Sequence, residues 1–234
     1  MCPIPLEKNI DWWWYKAKSN LLKYIIENKR ENIDRNKIKI LEIGPGLGNN
    51  LKYLNTLGDV DILETEQEFI KYIELNTKNY INKIYNNIDK IEEKYDLIVM
   101  LDVLEHIENS EEFMSNINQI LKSSGVVILG VPAYSRLWSS HDEILHHFRR
   151  YNWKKIYSDC TSFDIVERYG FNYLLLPIRY LQILLNKTST TNEGGILTNN
   201  ILYFISIFES SLRKIGINPK FGISLYAKLK KKKI

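Results

Sequence analysis

"ILEIGPGLGNNL", residues 40–51, decides the fold. With Ile38 and Lys39 its first half is a short apolar, β-branched run, "IKILEIG", that reads as a buried strand. The chain then turns through Gly44, Gly46 and Gly48 into a helix-like stretch. Glycines there let the backbone approach a ligand closely, and the helix start offers unbonded N–H groups. Glu42 stands two residues before the first glycine, and Glu64 ends the next strand, 22 residues after Glu42. A carboxylate at that place can accept hydrogen bonds from a ribose diol. A bare strand–helix turn also uses glycines, but the flanking strand, the helix and the distant acid together favour a nucleoside ligand. The spacing is not G-x-G-x-x-G and no second mononucleotide-binding half follows, so a nicotinamide dinucleotide is disfavoured.

Outward from this turn, strands and helices alternate. "DVDILE" (59–64), "INKIY" (81–85), "YDLIVML" (95–101) and "GVVILGVP" (125–132) read as further strands. A helix to about residue 30, then 66–76, "DVLEHI" with 110–122, and 152–160 read as helical; 31–37 is polar and turn-like. Continuous apolar strands interleaved with helices predict a parallel sheet covered on both faces. "FDIVERYGFNYLLL" (163–176) and "FGISLYAKLK" (221–230) are two more strands. The expectation is one domain over 1–234: a cap at 1–36, a core at 38–176 and 221–230, and an apolar insertion at 177–217.

The 234 residues suit a single domain with a full core. A net charge of +4 is too mild to argue for a nucleic-acid partner. Cys2 and Cys160 give neither metal spacing nor a disulfide framework, which points to a reducing, cytoplasmic compartment. Charged residues near the start break any signal peptide, and no apolar stretch reaches the roughly 18–20 residues of a membrane span.

One loop concentrates chemistry. "SSHDEILHHFRRY", 139–151, holds His141, His146, His147, Arg149 and Arg150. Such a set can bind a metal, clamp an anion, act as a base or form a solvated surface. An arginine pairing with Asp142 or Glu143 to pin the loop is an equal reading for Arg150. Asp102, Glu105 and His106 are spaced to share a helical face, so with His147 or His146 they form an alternative divalent-metal set.

"ILEIGPGLGNNL", "VDILETE", "YDLIVMLDVLEHIEN" and "LKSSGVVILGVP" together resemble the signature stretches of class I S-adenosylmethionine-dependent methyltransferases, over about residues 12–176. The resemblance implies an α/β, Rossmann-like seven-stranded sheet, order 3-2-1-4-5-7-6 with strand 7 antiparallel, and S-adenosyl-L-methionine as cofactor. It implies that Gly44, Gly46 and Gly48 wrap the cofactor, Glu42 holds that loop and Glu64 binds the ribose. Asn87-Ile88 stands where the family binds adenine, and Leu101 and Asp102 flank the methionine part. "DWWWYKAKSNLL" resembles an aromatic N-terminal helix of one branch. Tyr15 and Lys18 there are candidates for the cofactor carboxylate, while Trp12, Trp13 and Trp14 fit plain packing. "VPAYSRLWSSHDE" followed by "HHFRRY" resembles the same branch and places the histidine loop beside the transferred methyl group.

The expected function is methyl transfer to a hydroxyl or acid group of an anionic sugar- or lipid-type small molecule. His141 and then His147 are the candidate bases. Tyr134, Arg149 and Arg150 are the candidate substrate ligands, and no metal is expected. The alternatives are an inactive cofactor-binding or partner-binding module and a metal-dependent O-methyltransferase. The 177–217 insertion reads as a helical lid, covering a lipid-type acceptor, touching a membrane surface with the basic "KLKKKK" tail, or packing on its own sheet. The oligomeric state is left open.

Overall fold

The computed structural model describes residues 13–27, 38–185 and 196–232. Cys2, Trp12, the turn expected at 31–37, residues 186–195 of the insertion and the last two residues lie outside that set.

Seven strands form one sheet: β1 (Ile38–Ile43), β2 (Gly58–Leu63), β3 (Lys83–Tyr85), β4 (Tyr95–Leu101), β5 (Leu121–Pro132), β6 (Phe163–Phe171) and β7 (Ser224–Lys231). Their order is β3-β2-β1-β4-β5-β7-β6, and β7 runs antiparallel to both neighbours. The expected topology is therefore present. Ile40, Leu41, Ile98 and Val99 are wholly buried, because β1 and β4 are covered on both faces. One face carries α4 (Ser110–Ile120) and α6 (Trp153–Asp159), packed through Met114, Ile117 and Ile156. The other carries α1 (Trp13–Glu27), α2 (Leu51–Asn55) and α3 (Gln67–Asn76), packed through Leu21, Leu22, Ile25, Leu54 and Ile73.

Three local expectations change. The helix expected to 122 stops at Ile120, and the chain passes directly into β5. "DVLEHI" is not a helical face: Asp102 adopts a φ of 55°, and only Leu104–His106 form a single 3₁₀ turn. Asp102 thus leaves the helical register expected with Glu105 and His106, and its carboxylate pairs with Lys18. The strand expected over 163–176 ends at Phe171, since Asn172 takes a φ of 54° and turns the chain.

The insertion forms α7 (Leu176–Leu184) and α8 (Ile196–Lys214). A buried ion pair ties α8 to the sheet. Arg213 bonds Glu209 at 3.1 Å and the Gly170 carbonyl at 2.8 Å, while the Leu174 amide donates to Glu209 at 2.8 Å. Both charged side chains are essentially unexposed. Deleting one partner strands the other charge, so Glu209→Ala should destabilise the protein by about 3–5 kcal/mol in denaturant unfolding. A loss under about 1 kcal/mol would mean that the pair does not anchor the lid.

Candidate active site

The site is built at the carboxyl ends of β1, β2, β4 and β5. Gly44, Gly46 and Gly48 all take positive φ, from 55° to 73°. A Cβ at Gly44 would lie 2.7 Å from Val103 Cγ2, so the turn packs too tightly for any side chain there. The Gly44 amide donates to the Leu63 carbonyl at 2.9 Å, which fixes the turn against the end of β2.

Two buried carboxylates face this turn. Glu64 accepts from the amides of Thr65 (2.8 Å), Glu66 (3.0 Å) and Gly46 (3.3 Å), yet burial still raises its pKa. Glu42 accepts from the Asn50 amide group at 2.8 Å through Oε1, and its Oε2 is buried with no partner. Burial pushes Glu42 up to about 7. Asn50 in turn accepts from the Ser19 hydroxyl at 2.6 Å, so α1 is tied to the turn.

α1 crosses the site. Lys18 bonds Asp102 at 2.6 Å. Burial works against the Lys18 charge, but Asp102 together with Tyr15 and Glu105 outweighs it and the net shift is upward. Tyr15 lines the same space. Trp13 is buried, and Trp14 meets Phe171 edge-on at 5.2 Å. Both also line the cavity, so packing and lining are combined.

The histidine loop is organised around Asp142. Ser139 and Asp142 form a capping box at the start of α5 (Ser140–Ile144). Asp142 accepts from Arg150 Nε at 2.7 Å and Nη2 at 3.0 Å, and its Oδ1 lies 3.0 Å from His147 Nδ1. Burial alone would raise its pKa, but the bonds to His147 and Arg150 hold it well below the usual carboxylate range. Arg150 is therefore neutralised within the loop, as the pinning reading expected, although it still borders the cavity. His141, His146 and His147 border it as well. Burial lowers the pKa of His141 and of His106.

Several candidates lie elsewhere. Arg149 reaches the carbonyls of Ile107 and Glu108 and the Ser110 hydroxyl, at 2.6–3.0 Å, and is absent from the cavity wall. It holds the loop to the start of α4. Tyr134 packs beside the core, Asn87 caps a 3₁₀ turn by accepting from the Asp89 amide, and Ile88 packs on the core; none borders the cavity. Gly48 also stands back from it, while Leu101 and Asp102 border it.

All of this surrounds one cavity of about 940 Å³. That is the upper end of the roughly 300–1,000 Å³ typical of ligand sites, enough for two ligands side by side. The glycine turn, Glu42 and Glu64 form one end; His141, Arg150 and the lid form the other. Arg179 of α7 is the cation that the sequence reading missed. It donates to Ser139 Oγ at 3.1 Å and has no ion-pair partner among the described residues. Burial lowers its pKa, and Arg150 nearby lowers it further. Ser19, Asn50 and Asn199, which accepts from the Trp13 amide at 2.9 Å, were likewise not singled out. Only Asn50, inside the glycine stretch, carried a local signal.

The sheet order and the position of this cavity define a class I methyltransferase architecture. A family model for the methyltransferase domain matches residues 13–176, and the chain belongs to this family of S-adenosylmethionine-dependent methyltransferases. Among curated proteins it is 28% identical over 134 residues to the ubiquinone biosynthesis O-methyltransferase of Rickettsia typhi, covering 51% of this chain and 54% of that protein. It is 29% identical over 139 residues to the protein of the same name from Rickettsia bellii, covering 53% and 58%. The chain thus spans about half the length of these relatives. Two solved structures share its fold. An S-adenosylmethionine-dependent methyltransferase from Clostridium acetobutylicum gives a TM-score of 0.56 at 12% identity, covering 94% of this chain and 92% of that one. Phosphoethanolamine N-methyltransferase 2 from Haemonchus contortus, in complex with S-adenosyl-L-methionine, gives 0.57 at 14%, covering 94% and 53%.

Proposed function

We propose that the protein methylates an oxygen, a hydroxyl or an acid group, of an anionic small molecule with an apolar part. The observation that carries this is the two-ended cavity. One end presents a glycine turn and two buried carboxylates; the other presents a cation without a counter-ion and a neutral histidine. The relatives named O-methyltransferases support oxygen as the acceptor atom.

S-adenosylmethionine, when bound, supplies a methyl group on a sulfonium centre. The residues present fit it. The unpartnered Glu42 Oε2 suits its ammonium group, and Glu64 keeps acceptor capacity for ribose hydroxyls. The amides of the glycine turn close around its remaining polar atoms. Asn87 and Ile88 stand too far from the cavity wall to support the adenine role. Tyr15 stays a candidate for the carboxylate end, whereas Lys18 is already engaged by Asp102.

At the acceptor end, Arg179 replaces Arg149 as the anion anchor. Leu175, Ile178 and Leu202 beside it suit an apolar portion. His141 is the base. Burial keeps its ring neutral near pH 7, so it can take the hydroxyl proton. Excluding water around the aligned oxygen contributes the rest.

Labelled S-adenosylmethionine with cell extract, followed by mass identification of the labelled product, tests the activity. Methyl incorporation is expected; an inactive binding module would give none. His141→Ala should lower kcat by about 10²–10⁴-fold. The base works unprotonated and its pKa is lowered, so kcat/KM should fall only as pH drops through a midpoint below 6.5. An acid limb centred above 6.5, or one unchanged in His141→Ala, would remove His141 from the role. Arg179→Ala should chiefly raise the acceptor's KM.

The outer face of the lid favours contact with a lipid surface. Leu181 and Leu184 on α7 are exposed, as are Leu197, Ile201, Phe204 and Phe208 on α8. Their spacing makes one apolar stripe per helix. Among the described residues, no helix is long and apolar enough to cross a membrane. The lysine run does not assist: β7 begins at the cavity with Ser224 and carries Lys230 and Lys231 at its far end, about 24 Å away at 3.4 Å per residue. The protein should float with lipid vesicles, and Leu181→Glu with Phe204→Glu should abolish flotation. Failure of the unaltered protein to float would contradict the contact.

A further inference from the structure

We infer that Asn199 of α8 is a positioning residue: it holds α1 over the cavity, so that the lid enclosing the acceptor end also sets the affinity of the cofactor end. The ligand in this inference rests on the methyl-transfer reading; the geometry rests on three contacts between α1 and α8.

Amides in the first turn of a helix have no carbonyl of their own helix to bond. α1 opens at Trp13, and the Trp13 amide donates to Asn199 Oδ1 at 2.9 Å. A capping oxygen is usually supplied by the residue just before the helix. Here the Trp13 amide takes one from the lid, 186 positions away. The Lys16 ammonium lies over the Tyr203 ring, 6.0 Å from its centre, and the Tyr24 hydroxyl donates to the Arg213 carbonyl at 3.1 Å. The contacts climb both helices together, so α1 and α8 run side by side in the same direction for roughly 17 Å at 1.5 Å per residue. Leu202, Tyr203 and Ile205 pack on the apolar cluster that holds Leu21, Leu22 and Ile25.

The same helix serves the cofactor end. Ser19 donates to Asn50, which holds Glu42, and Lys18 pairs with Asp102. Tyr15, Lys18 and Ser19 border the cavity, and so do Thr198, Asn199 and Leu202 of α8. α8 is anchored to the sheet without α1, through the Glu209–Arg213 pair and through the Ser206 hydroxyl, which donates to Asn172 at 3.1 Å. The lid is therefore the fixed partner, and the start of α1 is what it holds. α8 lies outside residues 13–176, the span that the family model matches, so the contact joins the matched domain to an element beyond it.

Without the Asn199 oxygen the Trp13 amide loses its acceptor and the start of α1 lifts. Ser19 and Lys18 move with it, and Asn50 and Asp102 lose their partners. Cofactor affinity then falls although neither Glu42 nor Glu64 has changed. Alanine favours a helix more than asparagine does, so Asn199→Ala does not weaken α8 itself. Asn199→Asp keeps an acceptor oxygen for the Trp13 amide and removes the side-chain N–H donors. A role through α1 is rescued by aspartate; a direct bond from the Asn199 amide group to a ligand is not.

The full chain is titrated calorimetrically with S-adenosylhomocysteine, and hydrogen exchange of the α1 peptide is followed without ligand. Asn199→Ala should weaken binding about three- to tenfold, the loss of one hydrogen bond, and should speed exchange in α1 while β1 and β4 stay unchanged. Asn199→Asp should restore both. Asn200→Ala, at the exposed next position, should alter neither. Unchanged affinity in Asn199→Ala, or Asn199→Asp no tighter than Asn199→Ala, would overturn the inference. No binding to the unaltered protein would instead overturn the methyl-transfer reading, and exchange in α1 would still decide whether Asn199 holds that helix.

Discussion

Two buried carboxylates at the ends of neighbouring parallel strands govern this structure. Glu42 and Glu64 sit where the chain can only turn through left-handed backbone, and three glycines supply it. Glu64 collects three backbone amides and so orders the turn; Glu42 holds Asn50 and, through it, α1. The cap therefore closes on the cavity because a strand-end carboxylate requires a donor. What is left over, one buried oxygen of Glu42, is the clearest mark of a ligand in that half of the cavity.

The other half is organised by charge rationing. Asp142 takes up Arg150 and orients His147, Asp102 takes up Lys18, and the carbonyls at the start of α4 take up Arg149. One cation, Arg179, remains in the wall without a counter-ion among the described residues. It comes from the lid, so the element that sets the acceptor's charge preference is also the one that encloses its apolar part. The Glu209–Arg213 pair holds that lid on the sheet from its far end.

The sheet was legible because its central strands β1 and β4 are buried on both faces and so are written as largely apolar runs. The glycine turn and its two acids were legible because backbone geometry and spacing restrict the residue types. The acceptor end was much less so. Its partners lie far apart in sequence: Arg179 meets Ser139 across 40 positions, and Lys18 meets Asp102 across 84. No periodicity records such a meeting. Arg149 and Arg150 are adjacent and chemically identical, and only the fold sends one to α4 and the other to Asp142. The helical spacing of Asp102 with Glu105 and His106 misled, because one residue at φ 55° breaks the period. Glu105 and His106 still come together with His147, through the loop after β5 rather than along a helix.

The central claim is that the glycine turn and its carboxylates form a nucleoside-sulfonium site. Calorimetric titration with S-adenosylhomocysteine, on the unaltered protein and on Glu64→Ala, tests it most directly. The account predicts one site per chain, weakened in Glu64→Ala by about 1–3 kcal/mol, the usual penalty for unpairing buried hydrogen-bonding groups, with no heat from nicotinamide dinucleotides. Equal affinity in the two proteins, or no binding to the unaltered one, would contradict it.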